Sequence, residues 1–226
     1  MSLAEGAGDR ESRQLILNGI GDVLLLLGDF PQARDRYLEA ARSSVLPNIP
    51  SQFMLAASLT NYFLETGELR KARRSIKRAY RYSKTIRSKY LSSLVSQLSA
   101  ELWLCQGRPR EALKEVAKIE KLLSGNRGSH YGHANLLAGR AEMMLEHYEK
   151  ANRTLRLAKD VFHNLGIRLH EAIATYWLGI LKSAVSQSEL GHSLLEESYT
   201  IFVNLGARAW MGRAQKEMRK LEGKKT

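Results

Sequence analysis

The sequence predicts an all-α chain, an α-solenoid of about five helix-turn-helix repeats with a period of 39–40 residues, closed by a C-terminal capping helix. Three observations carry that expectation. Leu, Ala, Arg, Glu and Lys dominate and only 4 prolines occur in 226 residues, a composition of long helices rather than of strands and tight turns. Two series of small residues run in step, Gly21, Thr60, Ala100, Gly139, Gly179 and Ala33, Ala72, Ala112, Ala151, Gly191, each advancing by 39, 40, 39 and 40. Between the series lie turn signals at Gly28-Asp29, Thr66-Gly67-Glu68, Gly107-Arg108-Pro109, Glu146-His147 and Gln187-Ser188-Glu189.

Each unit therefore reads as helix A, a tight turn and helix B. The first unit places helices over 12–28 and 30–44, the second over 51–66 and 69–85, and the third over 88–106 and 109–123. The fourth spans 130–145 and 148–164, the fifth 169–185 and 189–204, and a last helix over 208–221 caps the stack. In every helix B an apolar residue follows the small one at plus four (Tyr37, Ile76, Val116, Leu155, Leu195), which is helical spacing on one stripe. Helix axes approach to about 8–10 Å only where a side chain is small enough to admit its neighbour, so glycine and alanine mark the crossing points. Further along, Phe162-His163-Asn164-Leu165-Gly166 recurs as Phe202-Val203-Asn204-Leu205-Gly206 at an offset of 40.

Ile20-Gly21 and Leu178-Gly179, with Ala33-x3-Tyr37-x2-Ala40 and Ala72-x3-Ile76-x2-Ala79, resemble the tetratricopeptide repeat (TPR). The period is near 40 rather than the usual 34 of that family, and the proline that commonly closes each unit is absent after the first. Units of this length, together with Leu165-Gly166-Ile167-Arg168 and Leu205-Gly206-Ala207-Arg208-Ala209-Trp210, resemble the helical-repeat region of large bacterial transcriptional activators of the maltose-regulator type. The resemblance implies a right-handed superhelix in which helices A line a concave groove and helices B the outer surface. Repeats are expected over 11–49, 50–87, 88–127, 128–167 and 168–206, with a cap over 207–222 and disordered ends over 1–10 and 223–226.

The residues present argue against chemistry. None of the six histidines falls in a zinc-protease pattern, and His130 and His133 read as a solvated helix start. Cys105, the single cysteine, reads as a semi-buried thiol with no adjacent base. The Ser124–Ser129 loop lacks both the Gly-Lys-Ser/Thr ending and the preceding strand of a phosphate loop, and Trp103, Trp177 and Trp210 fall at packing positions. No enzyme, metal or cofactor is expected. The lone cysteine and the missing signal segment point to the cytoplasm, and the longest apolar run, Val23–Leu27, is far short of the roughly 20 residues a bilayer crossing needs.

Two surfaces remain as binding candidates. Counting three residues before and one after each small residue of helix A, the resemblance places Asn18, Asp22, Asn61, Gln97, Glu101, Arg140 and Tyr176 on the groove, with Met143, Met144 and Tyr176 able to accept an apolar anchor. Asn18, Asn61 and Gln97 offer both donors and acceptors to a peptide backbone. The second surface is basic. Of a net charge of +12, the stretch Arg70–Lys89 supplies ten cations and no acid, with Arg70, Arg74, Lys77, Arg81 and Lys84 on one helical stripe. Its alternatives are a solvated outer face and a contact for phosphate or an acidic partner. The expected function is a non-enzymatic scaffold, regulatory or sensory, acting in transcription or signalling and binding a protein, a peptide or another copy of itself. The alternative is a basic nucleic-acid-binding repeat protein.

Overall fold

One turn, used five times, dictates the architecture. The computed structural model describes residues 10–43, 48–123, 125 and 128–223. Among them lie the A/B pairs α1 (Arg10–Leu26) and α2 (Phe30–Ser43), α3 (Ile49–Glu65) and α4 (Leu69–Ile86), and α5 (Lys89–Cys105) and α6 (Pro109–Leu123). The pairs α7 (Ser129–Met144) with α8 (Tyr148–Asn164) and α9 (Arg168–Ala184) with α10 (Ser188–Asn204) follow, then the single α11 (Arg208–Glu222). Each helix A ends on a left-handed residue: Gly28, Gly67, Gly107, Glu146 and Ser186 have φ of 78°, 74°, 70°, 62° and 61°. The next amide donates five residues back, as Asp29 to Leu24 O (2.9 Å), Glu68 to Phe63 O (2.8 Å) and Gln187 to Lys182 O (2.9 Å). This reversal caps the orphan carbonyls of helix A and sends helix B back beside it.

The small residues occupy equivalent places at the crossings. A Cβ added to Gly21 would lie 2.5 Å from Tyr37 Cε1, one on Gly139 2.5 Å from Leu155 Cγ, and one on Gly179 2.9 Å from Leu195 Cγ. Those partners are the plus-four residues of the facing helix B, and all three are buried. Full burial of each such side chain stabilises by about 1.5–3 kcal/mol, available only because glycine lets the helices close.

Helix starts have local causes. Asn48 accepts from Ser51 N at 3.1 Å, with Pro50 in the first turn, so α3 begins two residues before the expected position 51. Ser88 caps α5 by accepting from Leu91 N at 3.3 Å. Between units the repeated pentapeptides form matching turns, with Ile167 N donating to Phe162 O and Ala207 N to Phe202 O, each at 2.9 Å. Of the ends expected to be disordered, Arg10 is helical and Gly223 caps α11, while residues 1–9 and 224–226 lie outside the described residues.

The core is a ribbon of four buried clusters that runs through the stack, each helix packing on its predecessor and successor. The stack also curves far enough for its ends to meet. Leu26 packs against the C-terminal cluster, a Cβ at Gly28 would lie 3.4 Å from Ala209 N, and one at Gly206 3.4 Å from Leu27 Cδ2. Arg213 of α11 forms an ion pair with Glu65 of α3. The result is an all-α solenoid whose first and last units touch. No helix among the described residues is long and apolar enough to cross a membrane.

Candidate functional site: the concave interior

The C-terminal ends of successive A helices converge on a cavity of about 290 Å³. Its lining comes from α5 (Leu104, Cys105), α7 (Arg140, Met143, Met144) and α9 (Trp177). Leu104 and Cys105 stand four and five residues after Ala100, as Met143 and Met144 stand after Gly139, so one register position recurs in the wall.

Arg140 is the polar centre. Its Nη1 lies 2.6 Å from Glu101 Oε2, and its guanidinium carbon 4.7 Å from the centroid of the Trp177 ring. Desolvation opposes its charge, but the charge and hydrogen bond of Glu101 outweigh that, so the guanidinium pKa stands above its ordinary value. The arrangement recurs at the closure, where Arg213 pairs with Glu65 and stands 4.5 Å over the Trp210 ring. Tyr176 joins the two, edge-on to Trp177 at 5.5 Å and to Trp210 at 5.7 Å, and burial pushes its hydroxyl pKa up to about 12. The Trp177 indole N–H is buried with no hydrogen-bond partner. Cys105 is exposed at the rim, yet desolvation, with Glu101 beside it, holds its thiol pKa above the usual range. It therefore stays a protonated thiol at neutral pH.

The groove residues expected from the sequence divide by register. Those one residue after the small position, Asp22, Asn61, Glu101 and Arg140, reach the surface or the interior, and Met143 lines the cavity. Those three before it instead face the next helix A, which corrects the expectation that they present free groups to a ligand. Asn18 is 5% exposed and donates to Ser58 Oγ at 3.0 Å, Gln97 meets His130 Nδ1, and Tyr176 is buried against Trp210. At these positions the side chains are spent on the contact between adjacent A helices. Asp22 belongs to the same junction, accepting from Tyr37 (2.8 Å) and Ser58 (3.1 Å), with burial raising its pKa against those bonds.

His130 and His133 also differ from the solvated helix start expected of them. His130 is buried, 2.9 Å from Ser93 Oγ and edge-on to Tyr90, while His133 packs edge-on to Phe162 and His170. Desolvation drives His133 down to about 3 and His170 to about 4, so both are neutral at pH 7. No group of three potential metal-binding side chains occurs among the described residues. Arg70, Arg74, Lys77, Arg81 and Lys84 are all exposed on the outer face of α4, above buried Ala72, Ile76 and Ala79.

Paired helices crossing at small residues, with A helices inside, define a TPR-like helical repeat. No family model and no curated protein matches the chain. Solved structures do: 31 chains match, among them a signal-transduction ATPase with numerous domains and a tetratricopeptide repeat sensor, from Pyrococcus horikoshii. That match has a TM-score of 0.62 over 90% of this chain at 19% identity, a likeness of fold. The chain spans 32% of that protein's length.

Proposed function

We propose that this chain is a regulatory or sensory TPR-like module that binds a peptide or partner domain in its concave interior and catalyses no reaction itself. The observation that carries the reading is the wall shared by three successive A helices. It offers apolar Leu104, Met143 and Met144 around one fixed guanidinium. Such a combination fits an apolar anchor with an acceptor beside it. Methionines adapt to differently shaped anchors, and Arg140 is already held by Glu101 and Trp177, so little side-chain entropy is lost on binding. Membership of a larger regulator resembling the maltose-regulator type is part of the same proposal.

A photo-crosslinking amino acid placed at Met144, in the interior, and at Leu157, exposed on the outer helix α8, tests it in cell lysate. A specific adduct at Met144 that is lost on Arg140→Ala and absent at Leu157 supports the interior as the working surface. Equal adducts at both positions refute it.

A further inference from the structure

The interior site makes no use of the strongest charge imbalance in the chain, on the outer face of α4. All ten cations from Arg70 to Lys89 are exposed. Among the described residues Lys71 alone of them has an ion-pair partner, Glu68, while Arg73 donates to Gln106 Oε1 at 3.3 Å. Ala72, Ser75, Ile76, Ala79 and Ser83 are buried on the opposite side, so packing fixes which face points outward. At about 1.5 Å rise per residue, the row Arg70, Arg74, Lys77, Arg81, Lys84 is about 21 Å long with a cation every 5 Å or so. Eight of the ten lie on α4, and among the described residues seven of those have no ion-pair partner; these like charges repel one another, and a polyanion laid along the row removes that cost.

The chemistry of the face selects among polyanions. Six of the ten cations are arginines, whose planar forks match phosphate oxygens two at a time. Tyr80 is 50% exposed on the same helix, with Lys84 Nζ 5.4 Å from its ring. An exposed π-face beside a row of cations suits an unstacked base, which a duplex does not offer. α4 exposes no large aliphatic side chain that could enter a lipid headgroup layer. We propose that this face binds single-stranded nucleic acid, its phosphates along the row and a base on Tyr80. The proposal is independent of the interior site.

The test is fluorescence anisotropy of the full chain with a labelled 20-nucleotide oligouridine. With about five phosphates neutralised, affinity is expected to fall about 100-fold between 50 and 200 mM salt. Replacing Arg70, Arg74, Lys77, Arg81 and Lys84 together by Gln is expected to abolish most binding and flatten the salt dependence. Tyr80→Ala should weaken binding about tenfold with the salt slope unchanged. It also decides the matter if the five-site variant fails to fold. Lys150→Gln, Arg153→Gln and Arg156→Gln, on the exposed face of α8, should change nothing. The proposal is overturned by any of these results: no binding at 50 mM salt, an equal loss in the α8 variant, no effect of Tyr80→Ala, equal displacement by polyglutamate, or stronger binding to duplex DNA or phosphatidylserine vesicles.

Discussion

Replacing a glycine by alanine in the middle of a helix normally stabilises it by about 1 kcal/mol, because alanine loses less backbone entropy. The crossings are expected to reverse that sign. At Gly139 a new Cβ lands 2.5 Å from Leu155 Cγ, 2.7 Å from its Cδ2 and 3.0 Å from Thr154 Oγ1. Ordinary contact begins near 3.4 Å, and the obstructing atom is the branch point of a fully buried side chain, so Leu155 has to move as a body. Overpacking of that kind costs about 1–3 kcal/mol, which offsets or exceeds the propensity gain and leaves a net loss of up to about 2 kcal/mol. Gly19 lies on α1 with nothing within 4 Å of its added Cβ, so Gly19→Ala should gain up to about 1 kcal/mol. Thermal unfolding followed by circular dichroism separates the two, at about 2–4 °C per kcal/mol for a chain of this size. Removing the obstruction with Leu155→Ala should make Gly139→Ala favourable in that background. A Gly139→Ala protein as stable as Gly19→Ala would refute the tight crossing.

Other outcomes follow from the turns and the buried histidines. Glu146 and Ser186 occupy the left-handed position that glycine fills in the first three units, so Glu146→Gly and Ser186→Gly should each stabilise the fold by about 1 kcal/mol and raise the unfolding midpoint by about 2–4 °C. Gly67→Ala, with φ at 74°, should lower it by a similar amount although nothing lies within 4 Å of the new methyl. His133 and His170 titrate near 3 and 4 in the folded chain and near 6.5 when unfolded. Their contribution to stability is therefore full above about pH 6.5 and is lost as the pH falls toward 4, because the unfolded state takes up protons first. Denaturant unfolding at pH 7.5 and 5.0 should show this loss, and His133→Phe should lessen it. An unchanged pH dependence in that variant would argue against burial of the ring.

The helices and turns were legible because packing leaves a periodic trace: Gly139 and Gly179 are small where Leu155 and Leu195 must fit, and each recurs in register. The outward face of α4 was legible for the same reason, from Ala72, Ile76 and Ala79. Side chains three residues before the small position were misread, since register fixes a face of the helix but not which neighbour covers it. Asn18 and Gln97 meet the next helix A, through Ser58 and His130, and the polar residue type alone does not distinguish that from solvent. Leu104 and Cys105, not expected in the groove, did carry a signal, the plus-four and plus-five positions that Met143 and Met144 repeat. Nothing local foretold Arg213 meeting Glu65, 148 residues away, because closure depends on small inter-unit rotations that add along the whole stack.

Contact between the first unit and the capping helix fixes how far the stack curves, so it is the claim to test most directly. Cβ atoms at positions 28 and 209 would stand 3.8 Å apart, inside the window of about 3.5–4.5 Å that a disulfide requires. The left-handed φ at position 28 admits a cysteine, as the matching Glu146 and Ser186 show. In a Cys105→Ser background, oxidised Gly28→Cys/Ala209→Cys protein should carry one intramolecular bond, seen as faster migration on a non-reducing gel and two fewer free thiols by mass. Two thiols that stay free under oxidation, or that pair only between molecules, would contradict the closed solenoid.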